Sequence, residues 1–321
     1  MRNVAVDNAK FFLIMLVVFG HLLETKISSS QVLTDIFKTI YSFHMPAFIM
    51  LSGLFFNTKN NVKKTYNNII VPFIFYNLLY ELILFTSAKT LSYYTLVLSP
   101  AWIMWFLYSL AIWRLITPIF LKIKYPFVIS VFISLIACNF NFIGYPLGLS
   151  RTLTFFPVFL FSVLYKDVIF KSFNFKYKAL SLIAFILLLS GVYFSDIDYR
   201  IWFGSRSMST LGYGAISGTL LKLATLLISI LLSILLFTLI SRKNISTTNF
   251  GENTLHVYLA HGVIIKLLSF AGIFTLLFDK FGEVYFSIVM AVFAVVISIT
   301  LSMRFIKNIN EYIFKFIQLK Q

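Results

Sequence analysis

Acidic side chains are scarce in this chain: 11 Asp and Glu stand against 27 Lys and Arg, a net charge of +16 over 321 residues. Cysteine is scarcer still. Cys138 is alone, which excludes an intrachain disulfide and any cysteine metal cluster. Charge of either sign accounts for only 12% of the residues and apolar side chains for 60%, a balance that no water-soluble domain of this size would tolerate on its surface. The motifs of soluble enzymes are missing as well, with no G-x-S-x-G, no Walker A sequence and no H-E-x-x-H. Long polar stretches are few, the largest being the segment from Ser195 to Gly214 and the tail after Arg304. No appended soluble domain is therefore expected, and residues 1–321 read as one integral-membrane domain. The positive surplus would suit a nucleic-acid partner if it were clustered, but it is dispersed over short loops; the expected partner is membrane lipid and not nucleic acid.

What the chain has in abundance is apolar sequence in lengths near the ~20 residues that cross a bilayer. Such runs occupy roughly 5–23, 36–56, 69–87, 102–121, 127–144, 153–170, 179–195, 215–240, 254–277 and 284–305. The expectation is an all-α, polytopic transmembrane helical bundle of about ten spans. Lysine and arginine are retained in excess in cytoplasmic loops. With the N-terminus inside, 17 of them fall on the cytoplasmic side, seven outside and three within spans. This distribution favours both termini in the cytoplasm.

The first run carries polar residues at its two ends. In DNAKFFLIMLVVFGHLLE, the eleven steps from Lys10 to His21 make almost three helical turns and cover roughly 16 Å. Asp7 lies three residues before Lys10 and Glu24 three after His21, spacings that make neighbours on a helix surface. One polar stripe thus runs along an apolar helix. A neutral imidazole at His21 beside Glu24 has the makings of a general base, with the carboxylate fixing its tautomer and stabilising the imidazolium. All four histidines, His21, His44, His256 and His261, fall in or beside predicted spans. One intramembrane histidine is ordinarily packing; four of four point to a site. His256 and His261 are five apart, about 140° from each other on a helix, so a two-histidine metal site is disfavoured and no metal is expected.

Lys10 near the cytoplasmic end, and Lys63 and Lys64 in the loop NTKNNVKKTYNN, are two basic sites facing the same side, an arrangement suited to a nucleotide-like polyanion. The orientation rule alone would also place lysines there. Arg114, Lys222, Lys266 and Glu81 lie within spans, and each needs a partner or a watery cavity.

With these residues in view, the chain resembles the integral-membrane acyltransferases of the acyltransferase-3 type, in particular the branch described as fucose 4-O-acetylase-like. Lys10 and His21 match that family's basic-x10-His motif, with lysine where arginine is commoner. SFHMPAFIMLSGLFF resembles its F-H-x-P-x-F-x-x-x-S-G segment through His44, Pro46, Phe48, Ser52 and Gly53. Lys63, Lys64 and IIVPF look like its basic loop and the proline opening the next helix. WFLYSL from Trp105 looks like its W-F-L segment, and FFPVFLFSVLY from Phe155 like its proline-containing later helix. NTLHVYLAHGVI places His261 on the family histidine, with Gly262 where proline is usual. The similarity runs from Asp7 to Ile264.

The resemblance implies transfer of an acyl group, usually acetyl from cytoplasmic acetyl-CoA, to a hydroxyl of a cell-envelope polysaccharide or lipid-linked sugar at the bacterial cytoplasmic membrane. In that picture His21 is the catalytic histidine, as general base or transient acyl carrier; Glu24 as its orienting acid follows from the spacing. Lys10, Lys63 and Lys64 would hold the CoA phosphates, and His44, Trp105 and His261 would lie on the substrate. Sugar recognition would draw on scattered groups such as Tyr199, Arg200, Trp202 and Arg206 of the external loop. The competing expectation is a polysaccharide exporter or proton-coupled carrier of the same fold. A carrier more often shows internal repeats, and none is visible.

Overall fold

The computed structural model describes residues 3–88, 99–143, 148–315 and 318. Arg2, Lys89 and Lys320, which entered the charge distribution above, lie outside the described residues. The described residues are 80% helical, with no strand among them. In order the helices are α1 (Val4–Glu24), α2 (Gln31–Tyr41), α3 (His44–Leu54), α4 (Asn61–Thr65), α5 (Val71–Ala88), α6 (Trp105–Phe120), α7 (Pro126–Ala137) and α8 (Leu149–Leu164). They continue with α9 (Lys166–Ser172), α10 (Lys178–Tyr193), α11 (Tyr199–Phe203), α12 (Ala215–Leu239), α13 (Thr254–Phe270), α14 (Ile273–Leu301) and α15 (Arg304–Lys315). A π-helical stretch, Tyr66–Ile70, joins α4 to α5.

Among the described residues, five helical stretches are long and apolar enough to cross a membrane: Val4–Glu24, Asn61–Phe85, Trp102–Phe120, Ala215–Leu239 and Ile273–Leu301. A sixth follows if α8 and α9, bent by 81°, form one span. The difference from ten apolar runs has local causes. The run at 36–56 is interrupted at Ser42 and Phe43, between α2 and α3. The run at 254–277 is divided between α13 and α14 at Gly272, whose φ of +72° no continuous helix accommodates. The runs at 127–144 and 179–195 form the shorter apolar helices α7 and α10.

The described chain divides into two compact units. The first comprises Met1–Phe48, Asp167–Trp202 and Ile228–Asn310; the second comprises Ile49–Lys166, Phe203–Leu227 and Glu311–Gln321.

In the first unit α1 is the central helix. Its start is capped by the Asn3 side chain, which accepts from the Val6 N–H at 3.2 Å. It packs against α13, α14 and the 3-10 turn Thr248–Asn253. Asn8, buried near the start of α1, holds that turn and the chain before it. Its amide donates to the Ser241 and Lys243 carbonyls at 2.9 and 3.1 Å, and its carbonyl accepts from Thr248 at 2.6 Å. At Gly251 the turn touches α1 backbone to backbone: a Cβ there would stand 2.2 Å from the Asp7 carbonyl oxygen, so the contact needs glycine. Ser30 caps α2 through the Leu33 N–H and donates its own hydroxyl to Glu283 of α14.

In the second unit α8 packs on α6 and α7. Their faces are joined by buried polar contacts as well as apolar ones: Ser109 meets Thr152 at 2.7 Å, and the Trp113 indole N–H donates to the Thr152 carbonyl at 2.8 Å. Polar groups buried in an apolar bundle must be paired in this way.

Candidate active site

Helix α1 carries the stripe that its spacing requires. Near its start, Lys10 Nζ lies 3.8 Å from an Asp7 carboxylate oxygen. Almost three turns on, His21 is buried at 5% exposure, and its Nδ1 is 2.8 Å from Glu24 Oε2. A carboxylate can only accept, so the proton on that edge belongs to Nδ1, and in the neutral ring the lone pair is on Nε2. This is the tautomer of a general base oriented by an acid, in the relation a triad uses.

Packing brings two further histidines to His21. The His261 ring, on α13, is 5.5 Å from it between centroids. Tyr41 at the end of α2 stands edge-on to His21 at 6.5 Å and edge-on to His44 at 4.4 Å. Both neighbours have their tautomers set by the backbone. His44 Nδ1 donates to the Ile40 carbonyl at 2.8 Å and His261 Nδ1 to the Val257 carbonyl at 2.9 Å, each four residues earlier. Each therefore presents an Nε2 lone pair. Both Nε2 atoms are buried and have no hydrogen-bond partner among the described residues.

The fourth histidine is employed elsewhere: His256 Nδ1 accepts from the Asn310 amide at 3.0 Å. The sequence pattern of four intramembrane histidines thus separates into three gathered around Tyr41 and α1, and one that holds α15.

Of the remaining candidates, Lys63, Lys64 and Trp105 lie in the second unit. Lys63, half-buried, and Lys64, exposed, occupy α4 at the start of the long helical stretch. Arg114 joins them, with its Nε donating to Thr65 Oγ1 at 3.0 Å and its carbonyl accepting from the Asn61 amide at 2.5 Å. A partly buried guanidinium needs such a partner, and Thr65 lies one residue from Lys64. Trp105 is buried, and the Arg151 guanidinium lies 4.9 Å from its ring and 3.7 Å from that of Phe203. Trp102, Trp105, Ser150 and Arg151 contribute to a cavity of about 20 Å³, room for about one water.

Sequence reasoning missed Tyr41 and Arg151. The i, i+3 spacing of Tyr41 and His44 was available as a signal, but helix ends are where such pairs are least diagnostic. Arg151 reads as one more loop charge, and only tertiary packing buries it to 5% exposure.

Apolar spanning helices around an acid-oriented histidine define an integral-membrane protein with the elements of a group-transfer enzyme. The comparison with protein families agrees: a family model described as an acyltransferase domain, acyltransferase family 3, matches residues 3–303. The match covers nearly the whole chain, and the chain belongs to that family; it is a membrane acyltransferase. No curated protein and no solved structure matches it.

Proposed function

We propose that this acyltransferase moves an acetyl group from cytoplasmic acetyl-CoA to a hydroxyl of a cell-envelope polysaccharide or lipid-linked sugar. Its setting is the bacterial inner membrane, with both termini cytoplasmic and the chain working as one domain of the fucose 4-O-acetylase-like branch. The observation that carries the reading is the His21–Glu24 contact of 2.8 Å at one end of a helix whose other end presents Lys10. The rise along α1 separates the two by roughly 16 Å, so a thioester arm lying along the helix has its phosphates at the lysine and its acyl carbon at the imidazole.

In the chemical step, His21 Nε2 takes the proton of the acceptor hydroxyl as its oxygen attacks the thioester carbonyl. The C–S bond then breaks, and the departing CoA sulfur receives the proton from the imidazolium. Glu24 stabilises the imidazolium while it exists. Lys10, and Lys63 with Lys64, bind the donor's phosphates by charge; the CoA moiety need not cross the bilayer, and only the acetyl group changes carrier. His44, His261 and Trp105 serve the substrates.

The test is transfer of labelled acetyl from acetyl-CoA into envelope glycan by membranes containing the wild-type chain, His21→Ala or neither. Label present with wild type and reduced by about 10²- to 10⁴-fold in His21→Ala at equal protein level is the expected result. Equal labelling by both proteins, or none by wild type with native glycan supplied, refutes the reading.

A further inference from the structure

Two substrates must meet at His21, and two buried imidazole acceptors stand near it. His261 is fully buried and His44 is 1% exposed, so surface water reaches neither ring. The Nε2 of each has no donor among the described residues. A buried acceptor left without a donor is costly, so each calls for an N–H or O–H of a ligand. Which substrate each one meets follows from the direction in which its ring leans.

Helix α13 runs parallel to α1. Gly251, just before α13, lies against the Asp7 carbonyl at the start of α1, and further along both helices the His21 and His261 rings are 5.5 Å apart. The chain from α2 into α3 runs the other way. It starts at Gln31, past the Glu24 end of α1, and at the break before α3 the Phe43 carbonyl lies 3.5 Å from the Ser233 hydroxyl of α12. From there α12 leads on to Ser241, whose carbonyl Asn8 binds near the start of α1. Between Gln31 and Phe43 the chain therefore passes from the Glu24 end of α1 toward its Lys10 end. All of these residues belong to the first unit.

A helical histidine whose Nδ1–H bonds the carbonyl four residues earlier lays its ring back over the preceding turn. His261 does so on Val257 at 2.9 Å and His44 on Ile40 at 2.8 Å. Because the two segments run in opposite directions, the same local bond tilts the rings oppositely. His261 leans toward the Lys10 end of α1, and His44 toward the Glu24 end.

On the proposed track the donor arm lies on the Lys10 side of His21. The first N–H of a CoA thioester is the amide two methylenes beyond the sulfur, four bonds from the acyl carbon and roughly 5 Å from it in an extended chain. With the acyl carbon at His21, that spacing matches the 5.5 Å between the His21 and His261 rings. We propose that His261 is a donor-binding residue whose Nε2 accepts the amide N–H next to the thioester, while His44 faces the acceptor. Held at that N–H, the thioester cannot slide along α1, and its carbonyl carbon stands at the His21 imidazole. The assignment rests on acyl-CoA being the donor, but binding of a donor that cannot react is measurable without transfer.

The probe is the carba analogue of acetyl-CoA, a ketone with a methylene in place of sulfur, which cannot give up its acetyl group. Its counterpart has an ester in place of that amide and so lacks the N–H. Binding of each to the purified full chain in detergent is measured by calorimetry. Wild type binds the amide about five- to tenfold more tightly than the ester, the worth of one hydrogen bond. His261→Leu loses the preference, His261→Gln, which keeps an acceptor oxygen, retains part of it, and His44→Leu retains all of it. In the transfer assay His261→Leu raises the acetyl-CoA KM by the same factor, and His44→Leu raises the acceptor KM instead.

A preference for the amide that survives His261→Leu, or one abolished by His44→Leu, overturns the assignment and leaves acetyl-CoA as the donor. Equal binding of the two analogues by wild type also overturns it, and that comparison needs no variant to fold. No binding of either analogue by wild type removes the acyl-CoA donor and the assignment with it.

Discussion

Replacing Glu24 by glutamine separates charge from geometry at the catalytic histidine. The amide has nearly the volume of the carboxylate, and its carbonyl oxygen can still accept the His21 Nδ1–H, so the tautomer is preserved. What disappears is the negative charge beside the imidazolium that forms as the acceptor hydroxyl loses its proton. A hydrogen bond to a charged group contributes about 1.5–3 kcal/mol. The two side chains are 7% and 26% exposed, so solvent partly screens the pair and the lower half of that range applies. At ~1.4 kcal/mol per decade of rate, kcat falls by about ten- to fortyfold. The assay is the initial rate of labelled acetyl transfer in membranes at matched protein level, with acetyl-CoA varied. The KM for acetyl-CoA stays unchanged, because Lys10 and the α4 lysines are untouched. Wild-type kcat in Glu24→Gln would refute an electrostatic role for Glu24. A loss as complete as that of His21→Ala would show that the contact acts in some other way than by stabilising a transient cation.

Other outcomes follow from the same structure. Gly251→Ala places a Cβ 2.2 Å from the Asp7 carbonyl oxygen, and the overpacking destabilises the protein by about 1–3 kcal/mol, read as a lowered thermal midpoint in detergent. Substituting Lys63 and Lys64 together by alanine raises the acetyl-CoA KM by about fivefold with kcat retained, and added salt narrows the difference from wild type because the lost contacts are screened charges. At Asp198 burial alone would raise the carboxyl, but the Arg200 guanidinium and N–H overcome it and hold the group below the ordinary aspartate value of 3.8. A depressed carboxyl contributes stability that is complete above 3.8 and lost as pH falls through the lowered value. Limited proteolysis of the 193–203 segment therefore accelerates in wild type only in strong acid, and Asp198→Asn shows the faster cleavage already at neutral pH.

Much of the helical character and one strand of the chemistry are properties of the sequence alone. Apolar composition leaves the backbone no partner but itself in lipid, so helices follow wherever a run is long enough. The relation among Asp7, Lys10, His21 and Glu24 is also local, because a helix places residues three apart side by side whatever surrounds it. Both contacts, Lys10 with Asp7 and His21 with Glu24, stand where that periodicity puts them. The number of long spans was less legible. The break at Ser42 and Phe43, the 81° bend between α8 and α9 and the left-handed Gly272 each divide an apolar run that hydropathy reads as continuous. Tertiary structure alone decided which histidines meet. His256 and His261 sit on one helix, and the family resemblance singles out only His261; α1 approaches His261, while Asn310 of α15 takes His256. Likewise, only packing turns Tyr41 into the ring between His21 and His44 and commits Lys38 to Asp35 and the Ser195 carbonyl. Contacts within three or four residues are written into a helix by its geometry, whereas those across 200 residues depend on how helices settle against one another.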